Sequence, residues 1–113
     1  MRILVCGGRS YCDIDTLYRT LDHLDAERDI ATVVTGGCSG ADQLAELWAR
    51  ERDKVVIVVP AQWGVYGRSA GPKRNESMLD LNPDLVVAFK GGRGTQDMVN
   101  RATEKGIPVK EIE

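Results

Sequence analysis

Several features are scarce in this chain, and each scarcity closes off a class of protein. Histidine occurs once in 113 residues, at His23, with no cysteine or aspartate partner at catalytic spacing, so it is assigned no role. Cysteine occurs three times, at Cys6, Cys12 and Cys38. An odd number without Cys-x-x-Cys spacing excludes a disulfide frame or a zinc site and reads as reduced thiols of a cytoplasmic protein. No metal and no cofactor is expected. The chain also lacks long apolar runs. None approaches the roughly 20 residues needed to cross a bilayer, so no membrane partner is expected. The apolar stretch Ile3–Cys6 is too short for a signal-peptide core. No excess of positive charge exists either, since the formal net charge is −2, and the molecule as a whole does not read as a nucleic-acid binder. Finally, no Gly-x-x-x-x-Gly-Lys-Ser/Thr pattern is present, which argues against a P-loop nucleotidase.

What the chain does have is alternation. Short β-branched runs, Arg2–Cys6, Ala31–Val34, Lys54–Val59, Leu85–Phe89 and Ile107–Ile112, are separated by stretches with helical spacing. The strands are near-continuous apolar runs, as parallel strands covered on both faces require. Ile14, Leu17, Tyr18, Leu21 and Leu24 form one helical stripe, and Ala41, Leu44, Ala45 and Trp48 form a second. Asn75, Met78 and Leu79 mark a third helix with Pro72 in its first turn; Met98, Val99 and Ala102 mark a fourth, stopped by Gly106 and Pro108. This pattern predicts a single α/β domain over residues 1–113. Its class is a Rossmann-like, doubly wound, five-stranded parallel sheet with helices on both faces, in the order 3-2-1-4-5. Ligands of such sheets sit beyond the carboxyl ends of the strands, where the winding reverses.

Three of the four strand-to-helix loops carry paired glycines: Gly7-Gly8-Arg9, Gly36-Gly37-Cys38-Ser39-Gly40-Ala41-Asp42, and Lys90-Gly91-Gly92-Arg93-Gly94-Thr95-Gln96-Asp97. Glycine lets backbone approach a ligand closely, and the helix that follows offers unpaired N–H groups and the positive end of its dipole. Arg9, Arg68, Lys73, Arg74, Lys90 and Arg93 gather at the same predicted edge, whereas the opposite turns are mixed or acidic. Arginine makes bidentate contacts to phosphate oxygens. The long segment after the third strand, Pro60 to Pro72, places Trp63 and Tyr66 among glycines. Trp63 either stacks on a nucleobase or plugs the loop onto the core, while Trp48 reads as core. The candidate acids are Asp42, Glu76 and Asp97. Asp42, three residues after Ser39, fits a variant of the capping box, and Asp97 falls in the expected first turn of its helix, beside the last glycine loop. Cys38 reads as a small loop residue with no general base nearby in sequence.

The segments Gly7-Gly8-Arg9, Thr35-Gly36-Gly37-x-Ser39-Gly40-Ala41-Asp42, Ala70-Gly71-Pro72-x-Arg74-Asn75 and Gly91-Gly92-x-Gly94-Thr95-x-Asp97-Met98 resemble, in order, the motifs of the SLOG superfamily. The resemblance points to its small, stand-alone YspA-type (YpsA-related) branch of bacteria and phages. The superfamily also contains LOG-type phosphoribohydrolases and DprA/Smf-type DNA-binding proteins. The resemblance implies a nucleotide or nucleotide-derived ligand over the glycine loops, and taken with the charge and aromatic placement it makes Gly7, Gly8, Arg9, Gly36, Gly37, Ser39, Asp42, Trp63, Arg68, Asn75, Gly91, Gly92, Arg93, Gly94 and Thr95 the expected binding residues. In the LOG-type enzymes an arginine and a glutamate carry N-glycosidic cleavage. Arg74 sits where the resemblance places that arginine, but Lys90 replaces the proline of the Pro-Gly-Gly-x-Gly-Thr-x-x-Glu pattern and Met98 stands at its glutamate. The leading expectation is therefore a sensor or sequestering module. Its rival is a nucleoside-5'-monophosphate phosphoribohydrolase using Arg74 with Asp97 or Glu76, and single-stranded DNA binding is the weaker alternative. Whether a homodimer completes the pocket is left open.

Overall fold

The computed structural model describes residues 1–113. Its elements follow in the order β1 (Arg2–Cys6), α1 (Ile14–Arg28), β2 (Thr32–Thr35), α2 (Ala41–Glu51), β3 (Val55–Val58), α3 (Trp63–Tyr66), a 3-10 turn (Gly67–Ser69), α4 (Ala70–Leu79), β4 (Leu85–Ala88), α5 (Arg93–Glu104) and β5 (Val109–Glu111). The five strands are all parallel and lie in the order β3-β2-β1-β4-β5, as the alternation predicts.

The two-residue period of a strand sorts β1 between two cores. Ile3 and Val5 point to one side and pack with Leu17, Leu21 and Leu24 of α1 and Ala41, Ala45 and Trp48 of α2. Leu4 and Cys6 point to the other and pack with Met78 and Leu79 of α4 and Met98 and Ala102 of α5. Helices therefore cover both faces. Trp48 is fully buried, as its place on the α2 stripe requires, and its indole N–H donates to Asp22 Oδ1 at 2.9 Å.

The differences from the sequence expectation are local. The edge strands are covered less fully: Val56 and Ile57 of β3 pack against opposite cores and are partly buried, Val55 and Val58 are exposed, and β5 is three residues long where six were expected. An edge strand has a neighbour on one side only, so continuous apolar character does not guarantee burial there. The segment after β3 contains α3 and the 3-10 turn rather than a plain loop, and α4 begins at Ala70, before Pro72, which still lies in the first turn. Helix α5 begins at Arg93, directly after Gly92, so Asp97 lies in its second turn, not its first.

The winding reverses between β1 and β4. There the two loops lock together: Gly8 N–H donates to Lys90 C=O at 2.9 Å, and a Cβ on Gly91 would come within 2.6 Å of Gly8 N. Gly8 C=O in turn accepts from Ala41 N–H at 3.2 Å, with Gly40 at φ +78° turning the chain into α2 against that same carbonyl. Three strand-to-helix loops are thus fused at one point, and a cleft opens above it.

Candidate functional site

The cleft has a volume of about 650 Å³, within the usual range for small-molecule sites. Gly7 and Gly8 form its floor with the neighbouring first turn of α5; Cys38 and Asp42 stand on one side and Trp63, Arg74, Asn75 and Asp97 on the others.

Helix α5 turns its N-terminal end toward the cleft. Gly92 is its N-cap and offers no side-chain cap, and the first bond within the helix runs from Gln96 N–H to Gly92 C=O at 3.0 Å. The N–H groups of Arg93, Gly94 and Thr95 have no protein acceptor and lie at the cleft, where the helix dipole favours negative charge.

The three arginines lining the cleft are held differently. Arg9 and Arg93 make no ion pair and donate no side-chain hydrogen bond to the protein; the Arg9 guanidinium lies 5.7 Å from the centre of the Trp63 ring. Arg74 is fixed, with Nη1 donating to Gly36 C=O at 3.0 Å and approaching Cys38 Sγ at 3.6 Å, and Nε donating to Asn75 Oδ1 at 3.1 Å. Its Nη2 has no protein acceptor. Trp63 is 49% exposed, so it does not plug the loop onto the core; its ring rests against Gly71.

Asp42 is 6% exposed, and its Oδ2 accepts from Gly36 N–H at 3.1 Å and Cys38 N–H at 3.2 Å. It therefore shapes the β2–α2 loop from inside. The expected capping box does not form: Gly40, not Ser39, is the N-cap of α2, and Ser39 Oγ donates instead to Arg9 C=O at 3.0 Å. Burial pushes the Asp42 carboxyl up to about 6, against the opposing pull of the Cys38 N–H, Arg74 and the Gly36 N–H. Burial likewise pushes the Cys6 thiol, also on the cleft wall, up to about 12, so it stays neutral.

Asp97 lines the cleft with one oxygen committed. Its Oδ2 accepts from Asn75 Nδ2 at 2.9 Å and from Arg101 Nε at 2.9 Å, while Oδ1 has no protein donor. Arg101 was not singled out by the sequence reading, although the i, i+4 spacing of Asp97 and Arg101 on one helix was the signal for it.

The remaining expected site residues lie elsewhere. Gly36 sits behind the cleft, its N–H and C=O taken by Asp42 and Arg74. Gly37, Ser39 and Arg68 are exposed outside the lining. Gly91 is exposed outside the lining, has no room for a Cβ against Gly8 and Thr95, and borders a smaller hollow on the far side of its loop. Glu76 does not face the cleft: it pairs with Lys105 at 2.8 Å and Arg101 at 3.0 Å, which hold its carboxyl below the ordinary value. A one-residue step along a helix turns a side chain by about 100°, which is enough to separate the orientation of Glu76 from that of Asn75.

Comparison with known proteins fits this architecture. A profile of the YspA, cpYpsA-related SLOG family matches residues 1–66. The chain belongs to that family. Over 116 aligned residues it is 36% identical to the Gene 61 protein of Mycobacterium phage D29, across 96% of this chain and 93% of that one. Among solved structures, DNA processing protein A (DprA) of Streptococcus pneumoniae superposes on 99% of this chain with a TM-score of 0.79 at 19% identity. This SLOG chain spans 50% of the DprA chain. The molybdenum cofactor binding protein of Rippkaea orientalis superposes on 97% with a TM-score of 0.76 at 24% identity, covering 74% of that protein. Both likenesses show a shared fold. No helix of the SLOG chain is long and apolar enough to cross a membrane.

Proposed function

We propose that this SLOG protein binds a nucleotide or nucleotide-derived ligand in the cleft and acts as a sensor or sequestering module. The observation that carries the reading is one of placement. Three unpaired N–H groups of α5 and the unpaired guanidinium groups of Arg9 and Arg93 share a cleft with the half-exposed Trp63 ring and the free Oδ1 of Asp97. The N–H groups of Arg93 to Thr95 take a phosphate, Arg93 and Arg9 neutralise it, Asp97 Oδ1 accepts from sugar hydroxyls, and Trp63 stacks on the base.

The test is to incubate the purified protein with nucleoside monophosphates, NAD, ADP-ribose and cyclic nucleotides. Thermal shift is followed for each, together with mass spectrometry of the small molecules. A ligand recovered unchanged that raises Tm, with the rise lost in Arg93→Ala, is the expected result. No shift and no conversion across the panel would overturn the nucleotide reading.

The phosphoribohydrolase reading draws support from one observation, the free Oδ1 of Asp97 in the same cleft as Arg74. Against it, Met98, at the position of the enzymes' glutamate, is fully buried in the core beneath α5, so the position that supplies the enzymes' acid faces away from the cleft. Release of free base that disappears in Asp97→Asn would establish hydrolysis.

A further inference from the structure

Asn75 is 4% exposed, and its amide is almost wholly used. Nδ2 donates to Gly94 C=O at 3.2 Å and to Asp97 Oδ2 at 2.9 Å, and Oδ1 accepts from Arg74 Nε at 3.1 Å. The opposite amide orientation would set N–H against N–H at Arg74 and oxygen against oxygen at both Gly94 and Asp97, so the network admits only this one. Asn75 therefore stands between Arg74 and Asp97, bonded to both.

A guanidinium and a carboxylate facing one small cleft would otherwise satisfy each other as a bidentate pair. Such a pair would consume Arg74 Nη2 and Asp97 Oδ1, the donors and the acceptor that the protein leaves free. A neutral amide that accepts on one side and donates on the other removes that pairing without adding charge. It also ties Gly94, in the first turn of α5, to α4, so the N-terminal end of α5 is held in register with both side chains.

We propose that Asn75 is a positioning residue that insulates Arg74 from Asp97, so that the cleft presents a free guanidinium edge and a free carboxylate oxygen to one ligand at once. The ligand class this arrangement recognises is a phosphorylated sugar, with an anionic group and neighbouring hydroxyls on one small framework. The inference rests on the nucleotide reading for its ligand but not for its geometry. Oδ1 of Asp97 accepts from a hydroxyl, Nη2 of Arg74 donates to an oxyanion, and neither contact survives direct pairing of the two.

The experiment has a ligand-free and a ligand-bound arm. In the first, a crystal structure of Asn75→Ala is determined without ligand; the Arg74 guanidinium is expected within salt-bridge distance of Asp97. Arg74 remaining on Gly36 with Asp97 Oδ1 still free would overturn the proposal. In the second, AMP affinity is measured by calorimetry, and Asn75→Ala is expected to weaken it at least about tenfold. Unchanged affinity in that variant would also overturn it.

The isosteric Asn75→Asp serves where Asn75→Ala does not fold. It sets a carboxylate against Asp97, with Arg74 on one side, itself facing Asp42, and with Arg101, shared with Glu76, on the other. Two adjacent carboxylates take up a shared proton well above the ordinary carboxylate range. The stability deficit of Asn75→Asp in urea is therefore expected to be large near about pH 8 and to shrink toward about pH 5. A deficit independent of pH would show that Asn75 does not bond Asp97 and would refute the insulation. Failure of the native protein to bind AMP or any other nucleotide defeats the nucleotide reading alone; the ligand-free arm still decides this one.

Discussion

Replacing Asp42 by asparagine should stabilise the protein at neutral pH, although it removes a buried, hydrogen-bonded carboxylate from the cleft wall. The reasoning starts from the cost of its charge. Asp42 is 6% exposed, and its carboxyl is raised from 3.8 to about 6, with burial as the largest cause. The two backbone donors and Arg74 pull the other way and do not win. A rise of about two units, at ~1.4 kcal/mol each, amounts to about 3 kcal/mol of native-state stability forfeited once the group is ionised. The sign follows from proton counting. Between 3.8 and about 6 the native state holds a proton that the unfolded chain has released, so stability falls as pH rises through that window. Below it the contribution is fully present; above it the loss is complete. Asparagine keeps an oxygen for the Gly36 and Cys38 N–H groups and never ionises, so its cost is confined to the difference between charged and neutral acceptors.

Urea denaturation of the native protein and Asp42→Asn at a series of pH values measures this directly, provided m stays constant. The difference between the two proteins isolates Asp42 from Asp22, Asp25 and Glu76, whose carboxyls are held below their ordinary values and whose contributions run the opposite way with pH. The expected difference is near zero at about pH 4 and favours the variant by ~1–3 kcal/mol at about pH 7.5. A variant less stable than the native protein at neutral pH, with no pH dependence in the difference, would refute the claim that ionising Asp42 is costly. A carboxylate kept in the cleft wall at this expense fits a role in ligand binding, since perturbed groups in clefts gather at functional sites.

Further outcomes follow from the same geometry. The two tryptophans should separate cleanly: Trp48→Ala removes a fully buried ring and its bond to Asp22 and should cost ~3–5 kcal/mol in urea, whereas Trp63→Ala should leave stability within about 1 kcal/mol and weaken a nucleotide by ~1–3 kcal/mol of lost stacking. Gly40→Ala should destabilise by at least ~1–3 kcal/mol, because Gly40 holds φ +78° and a methyl there would run into Gly8 C=O; a soluble variant with unchanged Tm would contradict the fused-loop description. Arg93→Ala should leave Tm of the free protein unchanged while reducing nucleotide affinity about tenfold, with a shallower dependence of affinity on salt.

The sheet was legible in the sequence because its signal is redundant. Each central strand, such as Ile3-Leu4-Val5, carries apolar residues on both faces, and each long helix repeats its stripe over several turns, so one misread residue changes nothing. The edges were less legible because Val55 and Val58 look like core by composition yet are exposed on β3, the strand at the rim of the sheet. Helix α3 is a single turn, too short to show periodicity, and the glycines around it read as loop.

The site was legible to the level of loops and not of side chains, and the reason lies in direction. Topology placed Arg9, Arg74, Arg93 and Asp97 at one edge, and the structure brings all four to the same cleft. Which side chain turns inward depends on registers that single residues decide. Helix α5 starts directly after Gly92, which carries Asp97 into the second turn, points it toward α4 and sends Met98 into the core. On α4 the same rotation puts Asn75 inside and Glu76 out among Arg101 and Lys105. The acidic candidates thus divide by their partners. Glu76 spends both oxygens on surface cations, Asp42 spends Oδ2 on the backbone of its own loop, and Asp97 keeps Oδ1 unpaired in a cleft that also holds two unpaired arginines. An acid with a free oxygen beside uncompensated cations suits a ligand that brings hydroxyls and negative charge together, and under the proposed function that requirement, rather than the glycine motif, is what argues for a phosphorylated sugar.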